Sequence, residues 1–308
     1  MNVFLGIDTS NYTTSLAAVS DAKEVFSVRR VLQTPAGCVG LRQSDAHFLH
    51  TKNLPALAEE LKAKLPSDAR IVTVGVSTRP RGVEGSYMPC FLAGVSAASV
   101  AALSAGAEIF ETSHQEGHIA AALYGCPAFP AVNTFCSMHL SGGTMELLRV
   151  KTTAAGFETE LLSKTLDVTA GQLIDRVGVA LGLEFPCGKA LDTLALGAKT
   201  KLPRMPLSVK EDGINLSGAE NRAKDLIQKG EEPEDVAAFL FRQIARAIIA
   251  LYEKAGEGLP LLLCGGVSAS VFLRRSINHP EIYFTDPAIC TDNAVGVALL
   301  AREKGRQA

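Results

Sequence analysis

Apolar runs and polar, glycine-containing turns alternate along this chain in the manner of an α/β protein. The apolar run of residues 3–8 ends in Asp8, and a second apolar run follows a turn rich in Ser and Thr. This pattern predicts two strands joined by a tight turn. Residues 131–150 repeat the same plan around the glycine pair Gly142 and Gly143. Two such hairpins, far apart in one chain, predict a duplicated fold.

Helices are predicted between and after the hairpins, which gives mixed α/β order throughout. Helical periodicity predicts longer helices at about 53–64, 91–105, 171–182, 188–197, 217–229 and 233–255. A further helix begins near Ser113, and the last helix follows residue 293. A strongly apolar strand, "LPLLLC", leads into the glycine pair Gly265 and Gly266.

The composition is that of a well-buried globular protein. The chain has 308 residues, of which 47% are hydrophobic and 20% charged, and this length suffices for two compact domains. No apolar run approaches the ~20 residues that span a bilayer. The N-terminus lacks the features of a signal peptide, so we expect a cytoplasmic location and no membrane partner. The seven cysteines form no C-x-x-C pair, which argues against a disulfide framework or a thiolate zinc site.

The formal net charge of -2 and the absence of Trp are not typical of an autonomous nucleic-acid binder. A local basic patch could still bind nucleic acid, either near Arg79 and Arg81 or near Arg274 and Arg275.

Two histidines, His114 and His118, are spaced to lie on one helix face and to reach one ion. Ser113 and Glu116 form the pattern of a capping box at the start of this helix. The spacing alone is common in surface helices, so a metal site requires a third ligand. The order of residues also differs from the H-E-x-x-H metalloprotease motif.

Asp292, in "CTDNAVG" before the last helix, is the best candidate for that third ligand. An Asp in this position is also a common helix cap, and both roles are compatible if Thr291 or Asn293 caps instead. Two histidines and one carboxylate with open positions suit Fe(II) or Zn(II).

Three glycine turns could hold an anion. The turn at Asp8, Thr9 and Ser10 is a candidate phosphate turn, and Gly142 and Gly143 could form a backbone nest. Each of these is also an ordinary hairpin turn. The third, "CGGVSAS" at 264–270, lies between a strand and a helix, where nucleotides commonly bind.

Taken together, these motifs resemble the TsaD family, the tRNA threonylcarbamoyladenosine synthase subunit once described as O-sialoglycoprotein endopeptidase or glycoprotease. The resemblance runs collinearly through nearly the whole chain. It is carried by "GIDTS", "HQEGH", "LSGGT", "AGQLIDRVGVALGLEFPCGKALDTLA", "LSGAEN", "CGGVSAS" and "CTDNA".

The resemblance implies an actin/Hsp70/sugar-kinase-like fold, with two duplicated RNase H-like domains and a nucleotide in the central cleft. We place the domains at 1–126 and 127–293, with the final helix at about 294–308 packing back on the first domain. The implied metal ligands are His114, His118 and Asp292. The implied substrate or nucleotide contacts are His139, Leu140, Ser141, Gly142, Gly143, Asp175, Gly188, Asp192, Gly265, Gly266 and Ser270.

The implied reaction is transfer of a threonylcarbamoyl group from threonylcarbamoyl-AMP to N6 of the adenosine beside the tRNA anticodon. The implied cofactor is one divalent metal, Fe or Zn, and the implied ligand is ATP or threonylcarbamoyl-AMP. The implied partners are tRNA and a TsaB-like subunit or a second copy of the chain. No residue is assigned as the catalytic acid, base or nucleophile.

Several positions depart from the family pattern. The family's acidic residue after "TS" is absent around Tyr12, its G-P-G loop is "RPRG" at 79–82, and its P-G-G-P is "PCGK". Four further family residues are replaced: a His by Thr144, a Glu by Gln172, a Lys by Glu220 or its neighbour, and an Asn by Ser270. These departures indicate a divergent paralogue. The alternatives are a non-catalytic ATP-binding or TsaB-like scaffold and a glycoprotease-type metallopeptidase.

Overall fold

The computed structural model describes residues 1–10, 12–33, 41–154, 156–290 and 293–306. The chain divides into two compact units. The first unit consists of Met1–Tyr124, Ala154–Phe157 and Asp292–Ala308, and the second of Gly125–Thr153 and Glu158–Thr291. None of the described helices is long and apolar enough to cross a membrane.

Strands and helices alternate along both units. The strands are β1 (Asn2–Asp8), β2 (Thr13–Ser20), β3 (Val25–Val31), β4 (Arg70–Arg79), β5 (Glu108–Ser113), β6 (Thr134–Leu140), β7 (Met145–Thr153), β8 (Gly156–Thr165), β9 (Ser208–Lys210), β10 (Gly213–Asn215), β11 (Leu261–Cys264) and β12 (Ile282–Phe284). The helices are α1 (Gln43–Lys64), α2 (Phe91–Ala105), α3 (His114–Tyr124), α4 (Ala170–Ala180), α5 (Gly188–Leu196), α6 (Ser217–Gln228), α7 (Pro233–Ala255), α8 (Val271–Ser276) and α9 (Asn293–Gly305). A 3-10 turn, Gly266–Ala269, follows β11.

The first unit is built on a five-stranded sheet in the order β3-β2-β1-β4-β5. β1 pairs with β2 in antiparallel fashion, whereas β4 runs parallel to β1 and β5 parallel to β4. Side chains alternate along β1, and Val3, Leu5 and Ile7 join the apolar core that includes α1 and α2. Gly6, on the other face, lies against α9. Asp8 therefore belongs to the α9 face of the sheet.

The second unit repeats this topology. Its sheet has the order β12-β11-β6-β7-β8-β10-β9. The order β8-β7-β6-β11-β12 within this sheet corresponds to β3-β2-β1-β4-β5 of the first sheet, and β10 and β9 extend it beyond β8. The long helix α7 is buried along most of its length within the core of this unit. The predicted α/β class and the predicted duplication are confirmed by these two sheets.

The predicted helix at 53–64 is wrong at its N-terminal end, because α1 begins at Gln43. The buried residues of its first turns are Ala46 and His50, so this part of the helix carries no apolar periodicity that sequence inspection detects. Pro55 lies inside the helix, although Pro is most typical of a first turn. These two features explain why the prediction began too late.

Candidate metal and substrate site

The carboxyl ends of β1, β4 and β5 meet at one edge of the first sheet, since these strands are parallel. β5 ends at Ser113, and α3 begins at the next residue, His114. The Ser113 backbone N–H and hydroxyl donate to the Glu116 carboxylate at 2.9 and 2.6 Å, and the Glu116 N–H donates to the Ser113 hydroxyl at 3.2 Å. The predicted capping box is therefore confirmed, and it fixes the first turn of the histidine helix.

The two histidines of α3 face each other. The Nε2 atoms of His114 and His118 are 3.1 Å apart. Two nitrogen ligands at ~2.0–2.1 Å from one ion stand about 2.8–3.4 Å apart at octahedral to tetrahedral angles. The pair therefore has the separation that two ligands of a single divalent metal require.

Asp8 contacts the other ring nitrogen of His114. His114 Nδ1 is 3.0 Å from Asp8 Oδ2, and the carboxylate is almost completely buried. Burial by itself raises the pKa of Asp8, but the charge and hydrogen bond of His114, with hydrogen bonds from Ser10 and Ser77, hold it below its usual range. A carboxylate that accepts from the second nitrogen of a histidine orients the first nitrogen toward a metal.

Asn293, at the start of α9, completes the cluster. Its Nδ2 atom is 2.6 Å from Asp8 Oδ2 and 2.7 Å from His114 Nδ1. The sequence offered Asn293 as a cap for α9. In the structure it does not cap that helix, because its amide is directed at Asp8 and His114.

Two glycines bring Asn293 to the histidines. A Cβ on Gly117 would lie 2.9 Å from the Asn293 amide, and a Cβ on Gly296 only 1.8 Å from the Gly117 carbonyl oxygen. α3 and α9 therefore cross at a distance that only glycine allows. The glycine between the two histidines in "HQEGH" provides this clearance.

Asp292 lies outside the described residues, so the structure gives it no position. Within the described ranges, no group of three or more His, Cys, Asp or Glu side chains is arranged to hold a metal. A second pair of closely spaced histidines, His47 and His50 in α1, is unsuitable as a metal site, because His50 is buried and its Nδ1 bonds to the Thr14 hydroxyl at 2.8 Å.

The predicted phosphate turn uses its side chains within the first unit. The Thr9 hydroxyl donates to the Cys90 carbonyl at 3.1 Å and accepts from the Gly94 N–H at 3.0 Å. The Ser10 hydroxyl donates to Asp8. Thr9 and Ser10 thus fix the end of β1 against α2 and hold the carboxylate of Asp8.

In the second unit, the glycine turns lie at the carboxyl ends of two neighbouring parallel strands, β6 and β11. β6 ends with His139 and Leu140 and continues into Ser141, Gly142 and Gly143, while β11 continues into Gly265 and Gly266. This edge is the usual ligand position in open α/β sheets.

The turn after β6 packs against the N-terminus of α4. Thr169 donates through its hydroxyl to the Gly142 carbonyl at 2.8 Å, and the Gly171 N–H donates to the Ser141 carbonyl at 3.2 Å. A Cβ on Gly142 or Gly143 would meet no atom within 4 Å. An open turn beside a helix N-terminus favours a negatively charged ligand.

Four other predicted substrate residues lie along α4, α5 and α8. Asp175 accepts from the Cys187 N–H at 2.9 Å, one residue before Gly188 begins α5, and burial raises its pKa. Asp192 accepts from the Val271 and Phe272 N–H groups at 2.9 and 3.0 Å.

Ser270 donates its hydroxyl to Asp192 and accepts from the Leu273 N–H at 3.0 Å. In the structure, Asp192 and Ser270 are caps of α8. Their role in substrate binding stays a prediction.

Sequence reasoning missed two members of the first cluster, Ser77 and the amide of Asn293. Ser77 donates to Asp8 Oδ2 from the neighbouring strand β4. Both depend on contacts between residues far apart in the chain. The available signal was Asp8 itself, a single carboxylate that ends an otherwise apolar strand.

Comparison with known proteins matches residues 23–299 to the TsaD family model, described as tRNA N6-adenosine threonylcarbamoyltransferase. Among curated relatives bearing that name, the protein of Carboxydothermus hydrogenoformans is 31% identical over 96% of this chain and 90% of its own length. That of Thermotoga neapolitana is 29% identical over 98% of this chain and 94% of its own length.

Solved structures share the fold at low sequence identity. Component A of the Acidaminococcus fermentans (R)-2-hydroxyglutaryl-CoA dehydratase superposes with a TM-score of 0.60 at 16% identity, covering 99% of this chain and 100% of its own. A ROK family glucokinase from Streptomyces griseus superposes with a TM-score of 0.53 at 12% identity, covering 99% and 100%. The predicted fold of the actin/Hsp70/sugar-kinase kind is thereby confirmed.

Proposed function

This chain belongs to the TsaD family, and we propose on that basis that it transfers a threonylcarbamoyl group from threonylcarbamoyl-AMP to N6 of an adenosine in tRNA. In this reaction the amine attacks the carbamoyl carbonyl carbon. The bond from that carbon to the phosphate oxygen breaks, AMP leaves, and the amine loses one proton.

The observation that carries this proposal is the facing pair of histidine nitrogens, 3.1 Å apart, with Asp8 behind His114. His114 and His118 would hold one divalent metal, Fe or Zn, with Asp292 as the third ligand. Such a metal, when bound, polarises the carbonyl or phosphate oxygen of the donor as a Lewis acid. Asp8 keeps the His114 ring in the orientation that presents Nε2.

The second unit would bind the adenylate. The open turn of Ser141, Gly142 and Gly143 beside the N-terminus of α4 suits its phosphate, as the backbone N–H groups there favour an anion. The glycine pair Gly265 and Gly266 follows the adjacent strand and would admit the flat nucleoside. We propose that binding here places the donor without any covalent enzyme intermediate.

Binding of tRNA would require help from local basic groups or from a partner, since the net charge of the chain is -2. α2 carries an apolar stripe in which Leu92, Val100 and Leu103 are 46%, 66% and 85% exposed. Residues with this spacing share one helix face. We propose that this stripe binds a second subunit of the same fold, and light scattering on the isolated chain shows whether that subunit is a second copy.

Metal content separates this proposal from the scaffold alternative. We expect the wild-type chain to bind one Fe(II) or Zn(II) in anaerobic equilibrium dialysis and His118→Ala to lose it. His47→Ala, which removes a histidine from α1, serves as the matched control and keeps the metal. Transfer of the threonylcarbamoyl group to tRNA should be lost in His118→Ala together with the metal, and should be kept in His47→Ala. A metal-free wild type, with nucleotide affinity unchanged in His118→Ala, would overturn the transferase and favour a scaffold.

A further inference from the structure

The loop that joins β4 to α2, residues 80–90, lies against the first turn of the histidine helix. The Gln115 N–H donates to the Pro80 carbonyl at 3.0 Å. A Cβ on Gly82 would lie 3.7 Å from Glu116 Oε2. Both contacts are with the first turn of α3. This β4–α2 loop therefore borders the edge of the first sheet at which the two histidines lie.

The β4–α2 loop presents a cation and an aromatic ring in one compact turn. The Arg81 N–H donates to the Ser86 hydroxyl at 3.0 Å, and the Ser86 N–H donates to the Val83 carbonyl at 3.2 Å. These bonds bring Arg81 next to Ser86, the residue before Tyr87. Arg81 is exposed, and Tyr87 is 63% exposed. Solvent therefore reaches both a cationic and a large aromatic side chain on this loop.

This combination is typical of a surface that binds single-stranded RNA. Unpaired bases stack on exposed aromatic rings, and arginine binds phosphate groups in bidentate fashion. α2, which follows the loop, contains no charged residue, so its exposed aliphatic stripe suits a protein surface instead. The family's G-P-G loop supplies no cation, so Arg81 is a feature of this chain.

The other basic patch that the sequence predicts, at Arg274 and Arg275, is less suitable for RNA. Arg274 donates through Nε to the Ser268 carbonyl at 2.8 Å and through Nη2 to the Thr285 carbonyl. Its guanidinium thus holds together the backbone of the second unit. Of the two patches, the structure favours the one that contains Arg81.

We infer that the β4–α2 loop binds the anticodon loop of the tRNA, with Arg81 on a phosphate group and an unpaired base stacked on Tyr87. This inference rests on the proposed function, which identifies the RNA, and it adds a surface that holds this RNA. An RNA bound there has its unpaired nucleotides beside the helix that carries His114 and His118. Arg81 contributes affinity for any sequence, whereas Tyr87 selects nucleotides that are not paired.

Fluorescence anisotropy of labelled RNA with the full-length chain tests this surface. The probes are a hairpin with the sequence of a tRNA anticodon arm and a duplex of the same stem without its loop. We expect Tyr87→Ala to weaken binding of the hairpin by about fivefold to a hundredfold, the effect of losing one stacked base, and to leave binding of the duplex unchanged. Tyr87→Phe keeps the ring and should keep the affinity.

The salt dependence of binding tests the role of the charge. Arg81→Gln should weaken binding of the hairpin. It should also make the slope of log affinity against log salt concentration less steep by about 0.7, the value for one phosphate contact with a single strand. Glu84→Gln removes the acidic side chain of the same loop and should strengthen binding. Arg70→Gln, at the opposite end of β4, is the matched control and should change neither the affinity nor the slope.

Thermal unfolding and metal content of each variant check that its fold is kept. Failure of the wild type to bind the hairpin, or unchanged hairpin affinity in Tyr87→Ala or in Arg81→Gln, would overturn the inference. An altered mass of Tyr87→Ala in light scattering, with unchanged RNA affinity, would assign the loop to a protein partner instead. The RNA titrations need neither metal nor acyl donor. A metal-free wild type that binds the hairpin through Tyr87 would therefore overturn the proposed function alone.

Discussion

The close crossing of α3 and α9 predicts that Gly296→Ala destabilises the chain. The added Cβ would lie 1.8 Å from the Gly117 carbonyl oxygen and 2.9 Å from the Ala121 nitrogen. A carbon normally approaches a carbonyl oxygen to ~3.3–3.6 Å, so the helices must separate by roughly 1.5 Å. Because both contacted atoms belong to the backbone, no side-chain rotation relieves the overlap.

The expected loss of stability follows from two opposing terms. Overpacking of this kind costs ~1–3 kcal/mol or more, whereas Ala gains up to about 1 kcal/mol over Gly within a helix. Since a backbone overlap this severe belongs at the upper end of the overpacking range, we expect a net loss of about 2 kcal/mol. The same displacement moves His114 away from Asp8, so metal affinity should fall as well.

Urea unfolding followed by circular dichroism measures this change, and hydrogen exchange in β1 and α9 assigns it to the first unit. Gly188→Ala is the matched control, because a Cβ there meets no atom within 4 Å. It should be neutral or stabilise the chain by up to ~1 kcal/mol. A Gly296→Ala variant with the urea midpoint and metal content of the wild type would refute the close crossing.

Three further predictions follow from the described contacts. Burial raises the pKa of Asp167, but hydrogen bonds from backbone and side-chain donors outweigh this and hold the pKa below its usual range. The ionised carboxylate therefore stabilises the fold above about pH 4, and this stabilisation is lost as the pH falls through the lowered pKa. Asp167→Asn should therefore flatten the acid side of a urea stability profile, and an unchanged profile would contradict this. Asp192→Ala should lower the stability by ~0.5–2 kcal/mol through loss of the α8 cap; unchanged unfolding with weakened AMP binding would instead assign Asp192 to the substrate. Burial raises the pKa of Cys136 to about 11 and that of Cys264 to about 12, so peptide mapping should find both unlabelled by maleimide at pH 8 until urea unfolds the chain, and rapid native labelling would show that they are accessible.

Local features of the site could be predicted from the sequence, because they depend on helix geometry alone. His114 and His118 share a face through their spacing, and the capping box of Ser113 and Glu116 spans a single turn. The glycine pairs also mark the carboxyl ends of strands, where the chain must turn. In each case the residues that define the feature lie within a few positions of each other.

The contacts that orient the site could not be predicted in this way. Asp8 meets His114 and Asn293 only because β1 is the central strand of its sheet and α9 returns to cross α3. Likewise, the contact of Asp192 with the start of α8 requires the packing of α5 beside α8. Such pairings depend on strand order and helix crossing, which the local pattern of apolar residues does not encode.

Three departures from the family pattern, Gln172, Arg79 and Glu220, change the local charge, and each is accommodated by hydrogen bonds or ion pairs in the structure. Gln172 completes a capping box with Thr169 at the start of α4, so it keeps the hydrogen bonds of a Glu but leaves the helix N-terminus without a compensating charge.

Arg79, in place of a glycine, adds a positive charge at the end of β4, where its Nη1 donates to the Thr78 hydroxyl at 3.1 Å. Glu220 changes the charge in the opposite sense, but Arg176 and Lys224 pair with it at 3.1 and 2.7 Å and neutralise it. Gln172 and Arg79 therefore make the local charge less negative, and both are accommodated without a change of fold.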